Sequence, residues 1–311
     1  MAYSFVSPLT TYTEQQRLPL ITKAVFSART ASLFTKQVGI KSAATLNLMD
    51  TDAAFQSGTA CGWNVAGAAS GNTTFTQRTI TVAPLKIQEA LCPRSLEQYW
   101  MQTQLTQGST YDGVPFEQAY AEQKALRIAE ALENAIWSGS TLVTGLLTIL
   151  NAASGSTVSG NTAAVSASVG ITTSNVISIF DNIYNRIPQA ILTRNDLVIF
   201  CGWDVFRTLI GAFKSTASVM YNQVDLQGLA DGDIIYPGTN VRVVAVPGLL
   251  GYNRLVCSYL GNFFVGSDLL SDEEQFSIWP SIDNDEIRFQ AALKIGVNTA
   301  YPDLVVDWRL A

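Results

Sequence analysis

Histidine is missing from this chain altogether. Its absence removes Ser-His-Asp and Cys-His nucleophile systems, histidine-held metals and the commonest general base at neutral pH. Charge is scarce as well. Asp, Glu, Lys and Arg make up 14% of the 311 residues, where an average soluble domain carries about 25%. So little charge suits a surface largely covered by other subunits, and it equally suits a compact enzyme with a neutral surface. No lysine- or arginine-rich run occurs, and the net charge is −6. Tight phosphate binding needs clustered cations, so contact with DNA is expected to be weak and non-specific at most. Cys61, Cys92, Cys201 and Cys257 are widely spaced, with no C-x-x-C pair to suggest zinc or a redox motif. No Gly-Lys-Ser/Thr is present, and Gly58, Gly62, Gly67 and Gly71 do not join a strand to a helix. No basic start followed by an apolar run opens the chain. No apolar stretch reaches the ~18 residues of a membrane span, 142–150 (LVTGLLTIL) being too short. The expectation is no membrane, no cofactor, no metal and a cytosolic site of synthesis.

What the chain does have is one long helical pattern at 114–137, VPFEQAYAEQKALRIAEALENAIW. Pro115 sits in the first turn, where a missing N–H costs nothing, and Asp112 can cap. Apolar residues recur at Phe116, Tyr120, Ala125, Ala129, Leu132 and Ile136. Glu122, Lys124, Arg127, Glu130 and Glu133 are expected to share the remaining surface, with Arg127 in reach of Glu130. At ~1.5 Å per residue the helix spans roughly 36 Å. It reads either as a large core helix or as the spine of a flat, assembly-forming subunit.

Residues 1–40 read as a lead-in, either an arm lying on a neighbour or a segment packed on its own domain. Residues 42–77 hold Asp50 and Asp52 as their only charges and are otherwise rich in Gly, Ala, Ser and Thr. The alternation in RTITVAPLKI (78–87) then predicts a strand. Together they suggest a long two-stranded excursion with its return limb at 75–87, and a projecting hairpin needs a partner surface. Residues 89–104 read as a turn and short helix after Pro93. Positions 134–180 carry no charge, and 151–174 read as a loop. A second helix is expected over 172–187, capped by Thr172, Thr173 or Ser174 and stopped by Pro188. A buried strand (197–201) and a third helix (204–213) follow. Residues 219–270 are β-rich and suggest a small separate subdomain. Strict alternation from Ile287 to Thr299 predicts one very long strand, with a last short strand within 304–310. The acids at 283–286 lack the glycine of a calcium loop, since Arg288 stands there, and read as a solvated turn, as does Glu273-Glu274. A carboxylate-based hydrolase would need two acids brought together in space, and nothing in the spacing points to it.

Taken in order, these elements give an α+β chain that resembles the tailed-bacteriophage major capsid proteins, the Hong Kong 97-type shell fold. The likeness is carried by TQRTITVAPLKIQEALCPRSLEQYW, FEQAYAEQKALRIAEALENAIWSG, YPGTNVRVVAVPGL, LGNFFVGSDLLSDEEQF and LKIGVNTAYPDLVVDW, and it covers nearly the whole chain. The resemblance implies an N-terminal arm at 1–40 and an extended loop at 41–87. It implies a peripheral domain at 88–213 with 271–311, and an axial domain at 214–270. It further implies self-association as hexamers and pentamers into an icosahedral virion shell, with portal and separate scaffolding or decoration proteins as partners. Phe55, Trp63, Phe75 and Arg78 on the loop, and Glu122, Lys124 and Arg127 on the helix, are the residues expected at subunit contacts. Some members of the family lock the shell through a lysine on the extended loop. Residues 42–85 contain no lysine, so no such crosslink is expected. With about forty residues before the loop, scaffolding is expected to be a separate protein or unused. An encapsulin-like compartment, which shares the fold, is the alternative of the same kind.

Overall fold

The computed structural model describes residues 28–53, 55, 73–91, 116–161, 170–215, 231–268, 276–281, 283–284 and 286–310. The described residues open with α1 (Arg29–Leu33), β1 (Thr35–Val38), β2 (Ala43–Thr51), β3 (Thr73–Thr81) and β4 (Ala83–Leu91). Helices α2 (Phe116–Trp137) and α3 (Leu146–Ala152) and a short β5 (Val158–Ser159) follow. Next come α4 (Val176–Arg186), α5 (Gln189–Leu192), β6 (Leu197–Gly202) and α6 (Trp203–Ser215). The last third is β7 (Asp233–Ile235), β8 (Arg242–Val246), β9 (Arg254–Tyr259), β10 (Phe263–Ser267), β11 (Phe276–Ser281), β12 (Glu286–Thr299) and β13 (Val306–Arg309).

The strand expected from the alternation after Ile287 forms as the 14-residue β12 and organises one sheet. Strand β4 runs along one edge of it, from Ala83 opposite Ile295 to Leu91 opposite Ile287. Strands β11 and β10 follow one another along the other edge, and β1 pairs parallel with β10. The second sheet has six strands in the order β5-β13-β9-β6-β8-β7. Period-two patterning sends its apolar residues to both faces, as a doubly covered sheet requires. Ile199, Val243, Leu255 and Trp308 meet α4 and α6 through Phe180, Ile183, Leu209 and Phe213. Val198, Phe200, Val244 and Val256 face the other way, toward Leu132, Ile136 and Trp137 of α2, Leu146 of α3 and Phe289 to Val297 of β12. Helix α2 thus lies between the two sheets, and its expected stripe is buried at Ala125, Ala129, Leu132 and Ile136. The side chains of Phe116 and Tyr120, together with Asp112 and Pro115, lie outside the described residues.

Several expectations need correction. Residues 28–40 pack on their own chain rather than extending to a neighbour. Phe34 stacks on Phe263 at 5.0 Å and meets Phe200 and Trp137 edge-on at 5.5 and 6.0 Å. Aromatic burial of this kind contributes several kcal/mol in a core, more than an arm's exposure could offset. The excursion's return limb ends at Thr81, because beyond Val82 the chain leaves β2 and takes β12 as its partner. Glu89–Leu91 therefore end β4 rather than starting a turn, while Pro93 lies outside the described residues. The β-rich region is not separately cored: β7, β8 and β9 share one sheet with β6 and β13. The expected loop at 151–174 includes β5, which pairs with β13 at Val306 and Asp307. Helix α4 starts behind Asn175 without a side-chain cap. Thr172 instead donates its N–H to Asn175 Oδ1 at 2.7 Å.

Glu133 is the clearest departure, since it is buried rather than on the surface of α2. Its carboxylate accepts the backbone N–H of Thr30 at 3.0 Å and the Thr30 hydroxyl, and that hydroxyl accepts the Trp137 indole N–H at 2.7 Å. These bonds tie α1 to α2. Burial pushes the Glu133 carboxyl above its ordinary range, and the Thr30 and Trp137 donors and the Arg29 charge offset this only in part. The folded chain therefore holds this proton more tightly than the unfolded chain, and its contribution to stability falls as pH rises above about 4.5. Urea unfolding of wild type and Glu133→Gln across pH 4.5 to 8 checks this. The variant should gain stability relative to wild type as pH rises, and the opposite trend would refute the assignment.

Candidate assembly surface

Among the described residues, strands β2 and β3 pair only with each other, in register from Ala43↔Thr81 to Thr51↔Thr73. A two-stranded ribbon of this length is marginal alone in water, so its base must be held and its outer part needs cover. At the base, Ile40, Ile80 and Val82 form a small core with Ala44, Leu46 and Phe264. Asn298 donates to Thr79 O at 2.8 Å, Lys294 Nζ to Lys41 O at 3.3 Å and the Tyr301 hydroxyl to Met49 O at 3.3 Å. Two glycines facing each other across β10 and β12, Gly266 and Gly296, leave the trough in which this base lies. A Cβ on Gly296 would stand 2.1 Å from Thr81 O, and one on Gly266 2.9 Å from Ile40 Cδ1. The crossing therefore depends on bare backbone at these two positions.

Further out, beyond the Tyr301 bond to Met49 O, the described residues leave the ribbon's side chains largely exposed. Met49 and Phe75 are directly opposed and therefore share a face, 57% and 74% exposed, and Phe55 is fully exposed. Of the expected contact residues, the described part of the excursion thus presents Phe55 and Phe75 to solvent. Arg78 sits half-buried on the opposite face, across from Leu46. Trp63 lies outside the described residues. On α2, Arg127 and Glu130 form the expected exposed pair at 2.8 Å. Lys124 instead turns to its own chain, paired with Glu89 of β4 and lying 5.8 Å from the centre of the Phe289 ring. The side chain of Glu122 lies outside the described residues. On the described parts of the ribbon and α2, two exposed apolar residues escaped the sequence reading. Met49 is marked only by its register opposite Phe75, and Leu126 interrupts the charged face of α2 at 60% exposure.

Among the described residues no group of three or more acidic or cysteine side chains could hold a metal. Cys201 and Cys257 are buried and free, and burial pushes the Cys257 thiol up to about 12, far from a reactive thiolate. The Cys201 thiol is pushed up by the same cause. Tyr236 is likewise raised, by burial and by its 2.6 Å bond to Asp181.

No family model and no curated protein matches the sequence. Solved structures do match the fold. A chain of the satellite phage P4 procapsid that includes the size determination (Sid) protein aligns over 100% of this chain and 98% of its own, with TM-score 0.59 and 12% identity. The capsid of cyanophage P-SCSP1u aligns over 90% and 86%, with TM-score 0.58 and 12% identity. The capsid of the native GTA particle aligns over 93% and 90%, with TM-score 0.56 and 14% identity. Capsids share little beyond architecture at this identity, and here the architecture is shared nearly end to end: the chain has the Hong Kong 97-type fold of tailed-bacteriophage major capsid proteins.

Proposed function

We propose that this chain is a major capsid subunit. It self-associates as hexamers and pentamers into an icosahedral shell around a double-stranded DNA genome. The observation that carries the reading is the near-complete, end-to-end alignment with capsid chains, including the P4 procapsid and the GTA capsid. A ribbon exposed on its outer part and a surface poor in charge are what such an assembly requires. Its role is structural rather than catalytic, located in the virion after assembly in the host cytoplasm. Portal and separate scaffolding or decoration proteins are its further partners. With a net charge of −6 the wall has no strong attraction for packaged DNA. The encapsulin-like and hydrolase readings gain no support from the capsid likenesses.

In this reading the extended loop is 43–81 rather than 41–87. The peripheral unit is α2 with the five-stranded sheet. The axial unit is the six-stranded sheet with α4 and α6 in place of 214–270. Clasping of a neighbour falls to residues 1–27 alone, since 28–40 are used within the chain. Phe55, Trp63, Phe75, Arg78, Glu122 and Arg127 are assigned to subunit contacts, and Lys124 acts through its pairing with Glu89. Sedimentation velocity over a range of concentrations tests the reading. Discrete capsomers and closed particles should appear above a threshold, and a monomer at every concentration, with or without a scaffolding partner, would overturn it.

A further inference from the structure

One face of α2 stays uncovered while its other faces are packed between the two sheets. Among the described side chains of α2, Gln123, Leu126, Arg127, Glu130, Ala131 and Asn134 are exposed, and the others are wholly or partly buried. These six positions are symmetric about the midpoint between Ile128 and Ala129. Gln123, Arg127, Glu130 and Asn134 follow one another in steps of four, three and four residues, which keeps them in one stripe along the helix. Leu126, 60% exposed, flanks this stripe on one edge, and Ala131 flanks it on the other.

A stripe with this spacing keeps its order of steps when the helix is turned end for end, so it fits an antiparallel copy of itself. In that arrangement Gln123 faces Asn134 and Arg127 faces Glu130, each pairing occurring twice. Amide meets amide, and each cation meets an acid. A parallel copy would instead set Arg127 against Arg127 and Glu130 against Glu130, which is repulsive. Within one chain Arg127 and Glu130 already pair at 2.8 Å, with side chains 75% and 59% exposed. A single exposed pair contributes little. A second antiparallel copy turns it into a ring of four charges, in which every charge has opposite charges on both sides. The two Leu126 side chains then fall on the same edge of the seam, five residues or roughly 7–8 Å apart along the axis, and cover each other in part. Small Ala131 on the other edge lets the helices approach.

We propose that α2 pairs antiparallel with α2 of a second copy of this chain across a two-fold axis, Arg127 of each copy meeting Glu130 of the other. Charge complementarity of the face with itself favours this occupant. The contact uses the same patch on both copies, so it closes on two chains. Neighbours within a ring of five or six touch through two different patches. The α2 seam therefore joins copies that belong to different rings. The inference rests on the self-association reading and names the residues and the symmetry of one of its contacts.

The test is charge exchange in the full chain, read by sedimentation velocity, with circular dichroism to confirm folding. Arg127→Glu and Glu130→Arg, made separately, each set like charges across the seam. Each should leave the rings intact and raise the threshold concentration for closed particles at least about tenfold. The chain carrying both exchanges is self-complementary again and should return to within about threefold of wild type. If wild type assembles and neither single exchange moves its threshold, the pairing is wrong and the capsid reading stands. Two impaired single variants whose combination is no better also overturn it. So does a single exchange that breaks the rings themselves, since the contact would then lie within a ring. Should a reversed charge unfold the chain, Arg127→Gln, Glu130→Gln and their combination decide the same point. The combination should lose no more than either alone, and additive losses would refute a shared contact. If wild type itself stays monomeric, the capsid reading falls first.

Discussion

Aspartate at both Met49 and Phe75 should abolish particle formation and leave the folded monomer intact. The two side chains are opposed on the ribbon and lie 57% and 74% exposed within their own chain. In the monomer they bury little, so the melting temperature should stay within about 2 °C, as for surface substitutions generally. In a shell they have to be covered. Burying a large apolar side chain contributes about 1.5–3 kcal/mol, and two lost together with two charges introduced weaken association at least about a hundredfold. Sedimentation velocity beside a thermal melt separates the outcomes. Normal particle yield would mean that this face stays in solvent, and a collapsed melting temperature would mean that the ribbon is part of the monomer's core.

Asp307→Ala should have the opposite signature, loss of the fold itself by about 3–5 kcal/mol. Arg254 and Asp307 form a buried two-pronged pair, Nε to Oδ1 and Nη2 to Oδ2 each at 2.8 Å. The remaining nitrogen, Nη1, reaches Leu147 O at 3.3 Å and Asn151 Oδ1 at 3.0 Å, so the pair joins β9, β13 and α3. Removing the acid strands a guanidinium in the interior, which costs more than the pair itself contributes. Replacing both partners, Arg254→Met with Asp307→Leu, should therefore recover much of the loss. Urea denaturation of the three chains checks the order. A single substitution costing less than about 1 kcal/mol would show that water reaches this pair.

How much of this was legible in the sequence depends on whether a feature is local. Helix α2 and strand β12 were visible because each presents a regular apolar stripe to one side over many residues, and β6 because it is apolar throughout. The hairpin was visible through its absence of charge, but its end was not. Alternation runs on from Ile80 through Val82 into β4, so nothing in the pattern marks the residue at which one partner strand is exchanged for another. Burial of Glu133 could not be read from α2 alone, because the donor that makes it tolerable, Thr30, lies about a hundred residues earlier. The same distance hides the role of residues 28–40. Their aromatic, Phe34, is anchored by residues from three later elements. The apparent separateness of 219–270 failed for a related reason, since sheet order ignores chain order and places β9 between β6 and β13. At the candidate surface, the exposure of Phe55 and Phe75 follows their type and position on an uncharged hairpin. Met49 and the glycine trough emerged only once strand register was known.

The central claim is that residues 43–81 complete their fold on another copy of the chain. A cryo-electron microscopy reconstruction of purified particles tests it most directly. The account predicts a closed shell in which each ribbon lies across the adjacent subunit, with Met49 and Phe75 covered. A shell in which every ribbon folds back on its own chain, leaving Met49 and Phe75 in solvent, would contradict it.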